Sequence, residues 1–90
     1  MIIGNIPQHI NQLAKDSNFK PSIRIGKAGL GESLYSEIRD QLAAKNIVKI
    51  KINRGLFERS DRALIWQEIC QQTDSILVLA RGNVGVLWKN

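Results

Sequence analysis

The stretch that decides the fold is Ser22–Ile38, SIRIGKAGLGESLYSEI. Ile23 and Ile25 alternate with Arg24, the pattern of a short strand with one buried face. Pro21, just upstream, keeps the preceding residues out of helix. Gly26-Lys27-Ala28-Gly29 follows. Then Leu30, Leu34, Ile38 and Leu42 recur every fourth residue. That is the stripe of an amphipathic helix over about 31–45, widened by Tyr35. The stretch therefore reads as a strand, a glycine-bounded loop carrying one lysine, and a helix.

Working outward, Pro7 suits the first position of a helix. Ile10, Leu13 and Ala14 extend it over about 7–17. Beyond the central helix, Asn46 supplies a stop. IVKIKI, residues 47–52, is the clearest strand. Val48, Ile50 and Ile52 share one face; Ile47, Lys49, Lys51 and Asn53 share the other. Burying two ammonium groups is costly, so the lysine face is expected to stay wet or meet a ligand. Ser60 or Asp61 can cap a third helix over about 61–73, with Ala63, Trp66, Ile69 and Cys70 on one side. SILVLA and VGVLW flank the turn signal RGN and form a hairpin. The order is α-β-α-β-α-β-β. It predicts one small α/β domain over residues 1–90, a four-stranded mixed sheet packed with helices.

The charge is uneven. Thirteen Lys and Arg against eight Asp and Glu give +5. The whole excess lies in residues 20–62, with ten basic and five acidic side chains. A localised positive field points to a polyanionic partner, nucleic acid first. Cys70 and His9 are the only residues of their kinds. Disulfides within the chain and Cys/His zinc sites are thereby excluded, and no metal or cofactor is expected. Apolar runs fall short of the ~20 residues that span a bilayer. The start, MIIGNIPQHI, lacks the features of a signal peptide. A soluble, cytoplasmic protein without a membrane partner is expected. Glu32, Glu37 and Asp40 read as solvated charges on one helix, and Glu58 and Asp61 flank arginines. Cys70 reads as a small hydrophobe and no base accompanies it. The chain is not expected to be an enzyme.

The glycine loop has a physical logic of its own. A helix N-terminus carries unpaired N–H groups and partial positive charge. Flanking glycines let backbone approach an anion, and Lys27 adds a full charge, so the set suits phosphate. It is neither a P-loop, which needs Gly-Lys-Ser/Thr after four spacers, nor the dinucleotide fingerprint. A G-x-x-G loop is the device with which KH-type modules clamp a nucleic-acid backbone.

With these elements in place the chain resembles the CRM domain, of chloroplast RNA splicing and ribosome maturation, which includes the stand-alone YhbY-like proteins of bacteria and archaea. The resemblance rests on Lys20-Pro21 after a helix, IRIGKAGL at 23–30, IVKIKI at 47–52, and a terminal hairpin ending VLWK. It implies a fold related to the C-terminal domain of translation initiation factor three. It implies that Gly26, Lys27, Ala28 and Gly29 meet an RNA backbone. It also supports basic residues near the loop as contacts: Arg24, Lys49, Lys51, Arg54, Arg59 and Arg62. Stand-alone members are associated with precursors of the large ribosomal subunit. The implied partner is therefore ribosomal RNA or a pre-ribosomal particle, and the implied role is assembly or RNA maturation. Two departures stand out. Leu30-Gly31 replaces the family's Leu-Thr, whose threonine would cap the helix, and the Ala-His pair common before the first strand is missing. An Alba-like DNA- or RNA-coating chromatin protein, a small nucleotide-binding enzyme, and a protein-interaction adaptor are the competing readings. Phe57 either stacks on a base or anchors the core, and the oligomeric state is open.

Overall fold

The computed structural model describes residues 6–89. Its elements are α1 (Gln8–Lys15), β1 (Ile23–Ile25), α2 (Glu32–Lys45), β2 (Ile47–Ile52), a 3-10 turn (Arg59–Asp61), α3 (Arg62–Thr73), β3 (Ile76–Arg81) and β4 (Val84–Trp88). The expected order is found. The sheet runs β1-β2-β4-β3. β1 and β2 are parallel, joined by the α2 crossover; β2/β4 and β4/β3 are antiparallel.

Helices cover both faces. Ile23, Ile25, Val48, Ile50, Ile52 and Leu87 pack against Tyr35, Ile38 and Leu42 of α2 and Ile65, Trp66 and Ile69 of α3. On the opposite face Ile47, Val86 and Trp88 meet Ile10 and Ala14 of α1, with Phe19, Ile76, Val78 and Leu79 around them. This corrects the expectation of a wet lysine face on β2. Ile47 is buried there, and Lys49 is half-buried beneath the α1 side. α1 carries its apolar residues on one side and needs somewhere to put them.

Local chemistry sets the ends. Pro7 stands at the N-cap of α1 rather than inside the helix, its carbonyl accepting from Ile10 and Asn11. α2 stops at Asn46, which takes the left-handed conformation (φ 68°) that asparagine tolerates. The Asn46 side chain also donates to the Lys89 carbonyl, tying the end of β4 to the β2 start. α3 begins through the 3-10 turn at Arg59–Asp61, and neither Ser60 nor Asp61 makes the side-chain cap the sequence suggested. Arg39 on α2 donates twice to the Gln72 carbonyl near the end of α3 and pairs with Glu32 at 2.6 Å. One of the ten basic residues of the 20–62 segment is therefore occupied in holding the two helices together.

Two irregularities matter later. Gly85 faces Ile50 across the β2/β4 pair, and a Cβ built on it would come within 2.7 Å of the Trp66 ring. In the β3/β4 pair Leu77 faces Leu87, but Leu79 rather than Val78 faces Val86. One extra residue is accommodated between them, as in a β-bulge.

Candidate nucleic-acid interface

The site grows from the end of β1. Gly29 donates its N–H to the Gly26 carbonyl at 2.9 Å, closing a tight turn with Lys27 and Ala28 exposed at its tip. Gly29 lies at φ +69°, in the left-handed region that favours glycine. The chain then becomes extended at Gly31, the N-cap of α2, where no side chain caps the helix. The N–H groups of the first turn are thus left without a side-chain acceptor, which is where a threonine would have served. Glu32, in that first turn, has its carboxylate drawn to Arg39.

The loop is fixed to the sheet. Asn53 donates its N–H to the Ile25 carbonyl at 2.9 Å, and its side chain lies beside Gly26. Ile52 donates to the Asn83 carbonyl at 2.8 Å. Because β1 and β2 are parallel and β4 runs against them, one end of the sheet gathers the glycine loop, the turn after β2 with exposed Arg54, and the Gly82-Asn83 turn. α2 and α3 both follow strands that finish at this end, so both helices begin there and point their positive dipole ends toward it. A depression of about 310 Å³ runs along the loop, lined by Arg24, Gly26, Ala28, Gly29 and Gly31 on one side. Glu32 and Glu37 of α2 line its other side with negative charge, that of Glu32 paired with Arg39. An anion is favoured on the loop side, near Lys27.

The sequence-named residues are not all equivalent. Gly26, Lys27, Ala28 and Gly29 form one turn. Arg24 and Lys51 are cross-strand partners on the α1 side of the sheet. Arg54 follows Asn53 beside the loop. Arg59 opens the 3-10 turn, and Arg62, half-buried, opens α3. Lys49 is different. Its ammonium donates to the Phe19 carbonyl at 2.7 Å and sits 5.6 Å over the Phe19 ring. Its charge is held within the domain, in hydrogen bonding and cation–π contact. Phe57 packs against the main core, half-buried, as an anchor.

One basic residue escaped the sequence reading. The bulge in β3 places Arg81 opposite Val84, which in turn faces Lys51. Strict alternation from Ile76 would have sent Arg81 to the other face. A charge tally that located the excess in residues 20–62 passed over it, because Arg81 and Lys89 are balanced by Glu68 and Asp74 in residues 63–90.

The fold shifts the protonation of two further groups, Cys70 and Tyr35. Burial pushes the Cys70 thiol up, with a smaller opposing effect from Ser75. Burial, helped by the carboxylates of Glu68 and Glu32, pushes the Tyr35 hydroxyl up. Both stay protonated at neutral pH. Among the described residues no helix is long and apolar enough to cross a membrane.

The profile of the CRS1 / YhbY (CRM) domain matches residues 8–89. The chain belongs to this family. A protein of Pseudomonas aeruginosa named as a probable RNA-binding protein is 29% identical over 72 residues, 80% of this chain and 67% of that one. A solution structure of a hypothetical Staphylococcus aureus protein, described as a candidate RNA-binding protein, superposes with a TM-score of 0.72 at 26% identity. It covers 91% of this chain and 81% of the other. Neither relative is named as an enzyme. The CRM fold expected from the resemblance is the one observed.

Proposed function

We propose that this CRM domain is an RNA-binding protein that clamps the RNA backbone and acts in the assembly of the large ribosomal subunit or in RNA maturation. One observation carries the binding mode: an exposed turn presents Lys27 in front of a helix whose first-turn N–H groups have no side-chain cap. Backbone N–H groups, dipole and ammonium converge on one place where phosphate fits. Arg24, Lys51 and Arg54 lie around the same end of the sheet and extend the footprint, with Arg59 and Arg62 at the start of α3. The RNA partner follows from family membership and from what the relatives are named for. The assembly role follows from the resemblance to stand-alone YhbY-like proteins. Recognition through backbone and shape suits structured or single-stranded RNA better than groove reading.

The test compares wild type with the Lys27→Glu/Ala28→Asp double variant on structured ribosomal RNA across a salt series, with DNA of equal length as competitor. Binding lost in the folded variant, with RNA preferred by wild type, supports the clamp. Equal binding by both proteins removes the loop from the mechanism. Equal competition by DNA returns the Alba-like reading.

A further inference from the structure

We infer that the RNA path continues from the glycine loop across the α1 side of the sheet, along a cross-strand row Arg24–Lys51–Arg81, with Arg81 a backbone-contacting residue. The inference rests on the RNA-binding reading and extends it to a second surface.

Three observations build it. The first is register. Arg24 pairs with Lys51, Lys51 with Val84, and Val84 with Arg81. Residues so paired stand side by side on one face, with strands ~4.8 Å apart. Three cations therefore line up across all four strands, only Val84 intervening. The second is continuity. Arg24 also borders the depression along the glycine loop. Glu32 and Glu37 line the α2 side of that depression, Glu32 paired with Arg39, so a backbone held at Lys27 reaches the row along its Arg24 side. The third is an opening at the far end. α1 covers the sheet around Ile47, Val86 and Trp88 but leaves a hollow of about 280 Å³ where its last turn meets Arg81. The charged residues there are Lys15, Asp16, Lys49 and Arg81. The Asp16 carboxylate accepts the Asn18 N–H, and the Lys49 ammonium is held by Phe19. Asp16 keeps its negative charge, and Lys15 and Arg81 are the two cations of the hollow that no protein group holds. Neither takes part in the ion pairs found among the described residues, Arg39–Glu32 and Lys89–Asp74.

The bulge gives the arrangement its meaning. If β3 kept strict alternation, with Val78 rather than Leu79 facing Val86, Arg81 would fall on the α3 side and the row would end at Lys51. Bulges re-aim side chains in this way. The ligand chemistry is a run of phosphodiesters, since guanidinium groups pair bidentately with phosphate oxygens.

The experiment uses labelled single-stranded RNA of two lengths, about four and about twelve nucleotides, bracketing a small-domain footprint. Wild type, Arg81→Gln, Arg81→Lys and Lys27→Gln are titrated across salt, with thermal melts to confirm folding. Arg81→Gln should bind the long RNA about fivefold more weakly at ~0.1 M salt and reduce the log–log salt slope by about 0.7. It should leave the short RNA unaffected, and Arg81→Lys should restore most of the loss. Lys27→Gln should weaken both lengths. If Arg81→Gln binds the long RNA as wild type does while Lys27→Gln is impaired, the row is wrong and the clamp stands. An equal loss on both lengths also overturns the row. Failure of wild type to bind either RNA overturns the clamp and the row together.

Discussion

Lys49 Nζ donates to the Phe19 carbonyl oxygen at 2.7 Å from a half-buried position on β2. Two residues on, Lys51 shares its strand and face but lies in the row with Arg24. The same residue type thus has two fates, set by whether the link between α1 and β1 passes over it.

Lys49→Met should expose this difference. It leaves the Phe19 carbonyl without its donor, a loss of about 1–3 kcal/mol in urea unfolding. The salt slope of RNA binding should hardly change. Lys51→Gln should do the reverse, with stability within about 0.5 kcal/mol and a slope lower by about 0.7. Matching slopes for the two variants would show that Lys49 leaves Phe19 to meet RNA.

Gly29→Ala forces a Cβ into φ +69°, although nothing lies within 4 Å of it. The cost is conformational, about 1–2 kcal/mol. Gly31→Ser meets no such strain, since φ there is −176° and the site is open. It should gain a few tenths of a kcal/mol by capping α2. Chemical denaturation of the pair separates strain from capping, and equal effects would refute the assignment.

Gly85→Ala should destabilise by about 1–3 kcal/mol, because the new methyl meets a Trp66 ring that is only 2% exposed. Combining it with Trp66→Phe should cost less than the sum of the two changes. Strict additivity in that cycle would mean the ring slides aside freely.

Cys70 gives a pH dependence. Its thiol pKa is raised in the folded state, chiefly by burial. The folded protein therefore holds its proton more tightly than the unfolded chain. The stability this contributes is complete below the unfolded-state thiol value of about 8.5 and is lost as pH climbs through the higher folded value. Tyr35 adds to the loss at higher pH, having a raised pKa for a similar reason. Melting temperature should fall above about pH 8.5, and Cys70→Ala should flatten the first part of the fall. An identical pH profile in the variant would remove Cys70 as the cause.

Much of this was readable in the chain. Alternation in IVKIKI fixed β2, the four-residue recurrence from Leu30 fixed α2, and Arg-Gly-Asn marked the final turn. The glycine loop was legible because its residue types are special. What escaped depended on partners distant in sequence. Nothing near Lys49 announces a carbonyl thirty residues upstream. Nothing in ILVLAR marks where an extra residue will be absorbed, since Val78 and Leu79 both suit either face. The absence of a cap at α3 followed from the 3-10 turn ahead of it, which local propensity does not fix. The proposed RNA contacts were legible as residue types, but their grouping into a loop and a row required the strand order.

The shifted pairing between Leu77 and Leu79 has a second consequence, for the outside of the molecule. β3 is a border strand, and an even border strand is a template on which another chain can hydrogen-bond. A kinked one offers mismatched donors and acceptors after only a few residues. The opposite border, β1, is three residues long with an arginine at its centre. Both margins of the sheet are thereby poor seeds for aggregation, and the irregularity that aims a cation also guards the rim.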